Sequence, residues 1–227
     1  MPSGANADQL TVPFWSPAEI EGALRSTIAH LTERRVLAYP TETVYGFGTA
    51  VDFDSVEALV RMKGRPPGKP FLLLIGSVQQ VGRLDLHMPT YAADLAARFW
   101  PGPLTLVLRG GEGRVPPRLR GPEGGVAVRF TPHVGLQRLL HAYGEPITST
   151  SANRPGVPPA MVASEIVSQW PDEIRRGLLH VLDGGRLEPS KPSTVVDCTG
   201  RRARVIRPGV LAASQLRDVV PDLLGDT

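Results

Sequence analysis

Glycine and proline are so plentiful in this chain that its loops should be many and well defined. There are 24 glycines and 23 prolines in 227 residues. Each proline removes a backbone donor and fixes φ, and glycine weakens helix and strand interiors. The apolar runs left between them, such as Phe71 to Ile75, are strand-sized and far too short to cross a bilayer. Such a chain has to build its core from many short elements joined by well-defined loops. The 41% apolar and 21% charged residues are ordinary for a globular domain and exclude wholesale disorder. At this length one domain can bury a sizeable core without metal or disulfide staples. The single cysteine, Cys198, excludes an internal disulfide framework and a cysteine-based metal cluster. It follows a predicted strand and reads as a small core hydrophobe.

Hydropathy patterning places the elements. Ser16-Pro17-Ala18-Glu19 predicts a capping box with proline in the first turn. Ile20, Leu24, Ile28 and Leu31 then recur at helical spacing. Asp54 and Glu57 predict a second capping box, continued by Val56, Leu59, Val60 and Met62. Further helices are expected over 91–100, 134–141, 161–170 and 213–220. Strands are expected over 36–39, 71–75, 104–108, 126–129 and 147–150, and near 180–182, 194–197 and 204–206. Residues 1–15 read as a loose leader, 16–220 as one domain and 221–227 as a tail. Strands and helices mix without strict alternation, which predicts α/β in the broad sense, or α+β with a mixed sheet. Met1 to Leu10 show no basic segment followed by an apolar stretch, so no secretory signal is visible and the cytoplasm is the expected location.

The net charge of +3 permits an anionic ligand without proving one. The lysines are more telling, because only Lys63, Lys69 and Lys191 occur. Two of them fall in Lys63-Gly64-Arg65-Pro66-Pro67-Gly68-Lys69-Pro70. Three cations in a proline-stiffened loop suit a polyphosphate, since arginine offers a planar fork and lysine a compact charge. The same segment also reads as a solvated basic turn closing a helix. Thr148-Ser149-Thr150-Ser151-Ala152-Asn153 leaves a strand with four hydroxyls and an amide. It reads either as a neutral anion or ribose binder or as a turn of local side-chain hydrogen bonds. Pro40-Thr41-Glu42-Thr43-Val44-Tyr45-Gly46-Phe47-Gly48 is neither a dinucleotide fingerprint nor a P-loop. Its Glu42 reads as a base or as the partner of an arginine.

Other chemistries fit less well. His30, His87, His133, His141 and His180 show no metal-ligand spacing, and His30 and His141 read as surface or half-buried. Trp15, Trp100 and Trp170 read as packing residues. Arg109, Arg114, Arg118 and Arg120 lie in a Gly/Pro-rich stretch that reads as a solvated loop or, less simply, as a nucleic-acid contact.

The blocks occur in one order: Pro40 to Gly46, Lys63-Gly64-Arg65-Pro66, Phe99 to Thr105, Val128-Arg129, Ser151-Ala152-Asn153, Ser193 to Asp197 and Arg207-Pro208-Gly209. This set strongly resembles the YrdC-like family of threonylcarbamoyl-adenylate synthases, over about residues 16–220. The chain's length resembles the family's short, single-domain form. The resemblance implies a twisted mixed sheet flanked by helices around a deep basic cavity. It implies condensation of L-threonine, bicarbonate and ATP, with Mg²⁺ carried by the nucleotide and no resident metal site. The product would pass to a tRNA-modifying transferase complex, and some members bind double-stranded RNA. By the same resemblance Lys63, Arg65, Ser151 and Asn153 carry the chemistry, and Lys69 and Arg207 join them on ATP. Thr41, Arg129, Ser149 and Ser193 would hold threonine, with Arg129 on its carboxylate. Two departures stand out. Many members place a histidine in the strand after the Lys-x-Arg-Pro segment, and Phe71-Leu72-Leu73-Leu74-Ile75 has none. Pro155 stands near a position where a small hydroxyl residue is more usual. A non-catalytic RNA-binding or ribosome-maturation factor, and a paralogue acting on another carbamoyl-type substrate, are the competing expectations.

Overall fold

The computed structural model describes residues 10–64 and 69–225. In chain order its elements are β1 (Val12–Pro13), α1 (Pro17–Thr32), β2 (Val36–Tyr39), β3 (Gly46–Gly48), α2 (Phe53–Lys63), β4 (Leu72–Ile75) and α3 (Gln79–Arg83). There follow β5 (Leu86–His87), α4 (Thr90–Phe99), β6 (Leu104–Gly110), β7 (Val126–Phe130), α5 (Val134–Tyr143) and β8 (Ile147–Ser151). The chain closes with α6 (Ala163–Gln169), α7 (Pro171–Arg175), β9 (Leu179–Asp183), β10 (Thr194–Asp197), β11 (Arg204–Arg207) and α8 (Ala213–Arg217). The strands form one mixed sheet in the order β1-β9-β2-β3-β8-β4-β7-β6-β10-β11, with β5 pairing β6 from the side. The expected fold class therefore holds.

Local chemistry explains most boundaries. Ser16 caps α1 through the reciprocal bonds with Glu19. The second predicted cap is displaced. Asp52, not Asp54, caps α2, accepting from the Ser55 backbone N–H and hydroxyl, and Glu57 instead pairs with Arg118. Gly64 ends α2 at φ 63°, a left-handed turn that glycine adopts without penalty. The elements that patterning overlooked (β1, β3, β5, α3 and α7) have two to five residues each, too few for a period to show. Within the expected leader, Val12 and Pro13 pair with Leu182 and Asp183, and Phe14 is buried at 1% exposure. Trp15 departs from the packing role expected of it, being 72% exposed. Trp100 and Trp170 do pack, and Cys198 is buried.

The sheet is covered unequally. Its two faces are the rows of residues that alternate along each strand. One face carries Val36, Ala38, Leu73, Leu106, Val128 and Val196 and packs on α2, α4, α6 and α8. The other carries Leu37, Tyr39, Leu74, Ile147 and Leu182 and packs on α1 and α5. That second cluster takes no residue from β6, β7 or β10, so α1 and α5 leave the second face of these strands uncovered. β3 is pressed between its neighbours. A Cβ on Gly48 would lie 2.9 Å from the Tyr39 ring and collide with the Thr148 carbonyl, so only glycine lets β2 and β8 approach here.

Two outcomes follow. Gly48→Ala should destabilise the fold by about 1–3 kcal/mol through overpacking, read as a lower urea midpoint. His30, expected near the surface, is buried and bonds the Val36 carbonyl at 2.8 Å. It lies 5.1 Å, ring to ring, from His180. Burial, and then His30, push the His180 pKa from 6.5 down to about 4, and burial lowers His30 as well. Both rings fold neutral. Above pH 6.5 neither state takes the proton, so stability is unaffected; as pH falls toward 4 the unfolded chain gains protons that the folded one refuses. The urea midpoint should fall between pH 7 and pH 5 more steeply than in His180→Gln.

Candidate functional site

The open face of β6, β7 and β10 gathers the polar residues singled out in the sequence. Leu74 pairs with Arg129 across β4 and β7, and paired residues share a face. Arg129 therefore points to the side that α1 and α5 leave uncovered. By the antiparallel register of Leu106 with Val128, Thr105 lies opposite Arg129, and Val195 pairs with Thr105. Ser149 belongs to the same face, since it pairs with Leu72.

Arg129 is 5% exposed, and a buried guanidinium needs partners. Its Nε donates to the Gly102 carbonyl at 3.1 Å. Its terminal nitrogen forms an ion pair with Glu42, so the arginine-partner alternative for Glu42 is the one seen. Thr131 Oγ1 donates to the other Glu42 oxygen at 2.9 Å. Burial, and secondarily the charge of Arg207, lower the Arg129 pKa to about 10, so it stays cationic at neutral pH. Arg207 reaches back to the Ser193 carbonyl at 2.9 Å and its hydroxyl at 3.0 Å. The Ser193 hydroxyl also meets Thr105 Oγ1 at 2.9 Å. Thr131 was not singled out in the sequence, and Gly102 and Thr105 fall in the Phe99 to Thr105 block but were given no site role there.

A second cluster sits where α2 meets the end of β8. Lys63 Nζ donates to the Ser151 carbonyl at 2.6 Å, the Asn153 carbonyl at 2.9 Å and Asn153 Oδ1 at 2.8 Å. Ser151 Oγ donates to the same Oδ1 at 2.6 Å. Asn153 Nδ2 donates to the Val157 carbonyl at 2.6 Å, which fixes the amide. The lysine, the hydroxyl and the amide thus form one connected unit, although they are 88 to 90 residues apart in the chain. Arg65 lies outside the described residues, and Lys69 is exposed just after them. Thr41 is buried, but its hydroxyl closes a turn: it donates to the Val44 carbonyl at 2.6 Å and accepts from the Thr43 and Val44 amides.

A cavity of about 290 Å³ continues the same open face, floored by Val107 and Ala127 and edged by Pro70, Gly125, Asp197 and Arg204. Among the loop arginines, Arg118 pairs with Glu57 and Arg120 with Glu112, which lowers the charge this loop presents to a nucleic acid. Among the described residues no group of three His, Cys, Asp or Glu is placed to hold a metal ion, and no helix is long and apolar enough to cross a membrane. Removing the shared acceptor should loosen the Lys63 cluster. Asn153→Ala is expected to cost about 1 kcal/mol of stability, because Lys63 keeps its two backbone carbonyls while it and the Ser151 hydroxyl lose the shared Oδ1. Asn153→Asp, which keeps the oxygen, should lose less in the same urea titration.

Comparison with known proteins gives the cleft a context. The family profile Sua5_yciO_yrdC, described as telomere recombination, matches residues 29–209. A threonylcarbamoyl-AMP synthase of Pyrococcus abyssi is 35% identical over 204 residues, 89% of this chain and 58% of its own. One from Chromohalobacter salexigens is 34% identical over 180 residues, 79% of this chain and 94% of its own. The crystal structure of Pyrococcus abyssi Sua5 complexed with L-threonine superimposes with a TM-score of 0.83 at 32% identity, covering 94% of this chain and 62% of that one. The chain thus spans little more than half the length of some curated relatives, 58% for the Pyrococcus protein and 55% for one from Bacillus subtilis. The match extends over most of the described fold and takes in both polar clusters, and on that ground the chain belongs to the Sua5/YciO/YrdC family.

Proposed function

We propose that this chain makes threonylcarbamoyl-AMP from L-threonine, bicarbonate and ATP. The observations that carry this reading are a buried arginine on the face of β7 that α1 and α5 leave uncovered, and the connected Lys63–Ser151–Asn153 unit where α2 meets the end of β8. The relatives' names, and the threonine bound in the Pyrococcus protein, support the choice of substrates.

The residues divide the work by chemistry. Arg129 would take the threonine carboxylate, with Ser149 and Ser193 near the amino-acid side chain and Thr41 shaping the turn beside it. Lys63, Arg65 and Lys69 would hold the phosphates, Ser151 and Asn153 would lie near the α-phosphate, and Arg207 would contact the nucleotide. The cavity floored by Val107 and Ala127 has the volume and the apolar floor to receive the nucleoside. Carboxylated threonine would attack the α-phosphorus and pyrophosphate would leave. Such a step asks the protein to position anions and neutralise charge, and needs no covalent nucleophile. Mg²⁺ would arrive with the triphosphate, bound through the phosphate oxygens. The released adenylate would then serve a tRNA-modifying transferase.

Pyrophosphate release from Mg·ATP is the test. Release that requires both threonine and bicarbonate, and is absent from Lys63→Ala, is expected. Nucleotide binding without threonine-dependent release would overturn the reading in favour of another acceptor. Within the active enzyme, Arg129→Ala loses a charged hydrogen-bond pair worth about 1.5–3 kcal/mol. The threonine KM should therefore rise at least about tenfold.

A further inference from the structure

Among the described residues, Glu42 is the carboxylate that pairs with Arg129, the buried arginine of the cleft. Three contacts hold it: the Arg129 ion pair, the Thr131 hydroxyl on its second oxygen at 2.9 Å, and the Ser190 hydroxyl on its backbone carbonyl at 3.3 Å. Its side chain keeps 24% exposure while that of Arg129 keeps 7%, and the oxygen that meets the guanidinium is itself buried. The proposed reaction leaves it without a role.

We infer that Glu42 reads the α-amino group of the amino-acid substrate and takes its proton. The inference rests on the synthase reading. A cation and an anion side by side match the two charged ends of an amino acid: the carboxylate goes to Arg129 and the ammonium to its neighbour. When the substrate carboxylate takes over Arg129, the Glu42 oxygen that faced the guanidinium is released, while Thr131 keeps the other oxygen in place. The α-carbon is bonded to the carboxylate carbon, so the ammonium lies one bond further on, within reach of the freed oxygen.

The chemistry requires such an acceptor. At neutral pH free threonine carries an ammonium, whose nitrogen has no lone pair to form the new N–C bond. The proton passes from nitrogen to Glu42, leaving a neutral amine and a neutral carboxylic acid. The amine nitrogen then bonds to the bicarbonate carbon, and water leaves to give the carbamate. The charged groups recorded around the pair are Arg207, whose charge acts on Arg129, and Lys191, next in the chain to the Ser190 that bonds the Glu42 carbonyl.

The experiment uses the full chain and two readouts. Threonine- and bicarbonate-dependent pyrophosphate release is followed against pH for wild type, Glu42→Gln and Glu42→Asp. Binding of L-threonine and of 3-hydroxybutyrate, a short hydroxy acid with a carboxylate and no amino group, is measured by calorimetry. Glu42→Gln should lower kcat about 100-fold at pH 7, as for loss of a general base. It should recover as pH rises and the free amine becomes more abundant. It should bind 3-hydroxybutyrate at least as well as wild type, because Arg129 has lost a competitor. Glu42→Asp should restore part of the rate. A Glu42→Gln rate within about threefold of wild type, with an unchanged pH profile, overturns the inference. So does a pH-independent loss with both ligands bound more weakly, which would make Glu42 a support for Arg129 only. If wild type itself shows no threonine-dependent release, the synthase reading fails instead.

Discussion

A guanidinium buried in the middle of a sheet constrains everything around it. Arg129 sits on a strand that is otherwise apolar, and its charge is tolerable only because separate parts of the chain meet it. The turn after α4 supplies the Gly102 carbonyl and is itself held to β7 by the Gly102 N–H on the Phe130 carbonyl at 2.9 Å. The turn after β2 supplies Glu42, and Thr131 at the end of β7 fixes that carboxylate. Breaking one buried partner away from another is costly, so two otherwise flexible turns become rigid walls of the cleft.

The position of that cleft follows from unequal covering of the sheet. The helices α1 and α5 pack on each other and on one half of one face. On the other face the larger cluster runs from β2 to β10. The uncovered quarter is where Arg129, Thr105 and the floor of the cavity lie. Arg129 and Thr105 are nonetheless buried, at 5% and 1% exposure, and the polar partners brought by the neighbouring turns offset the cost of burying them.

The two polar clusters differ in how they are built, and the difference suits their proposed tasks. Around Arg129 a charge faces a charge, which favours exchange of one carboxylate for another. Around Lys63 the acceptors named above are neutral oxygens, and the Ser151 hydroxyl and Asn153 amide are locked to each other. A lysine held this way is pre-oriented, and little further ordering is needed when an anion arrives.

Much of this was legible in the residues themselves. The caps, the glycine after Lys63 and the apolar runs placed the larger helices and strands, because each depends on a neighbour within a few residues. The second cap moved by two positions because Asp52 and Asp54 are both plausible partners, and only Asp52 has the Ser55 donors within reach. The ordered motifs pointed to Lys63, Ser151, Asn153, Arg129 and Arg207, because residue type and order carry that information. Two things depended on tertiary structure: that Glu42 meets Arg129 and that Thr105 joins Ser193. These pairings are made between residues 87 and 88 positions apart. Strand register puts Arg129 and Thr105 on one face, the segments carrying Glu42 and Ser193 close on them, and register is settled by which face of the whole sheet is buried, a property that no local stretch of sequence contains.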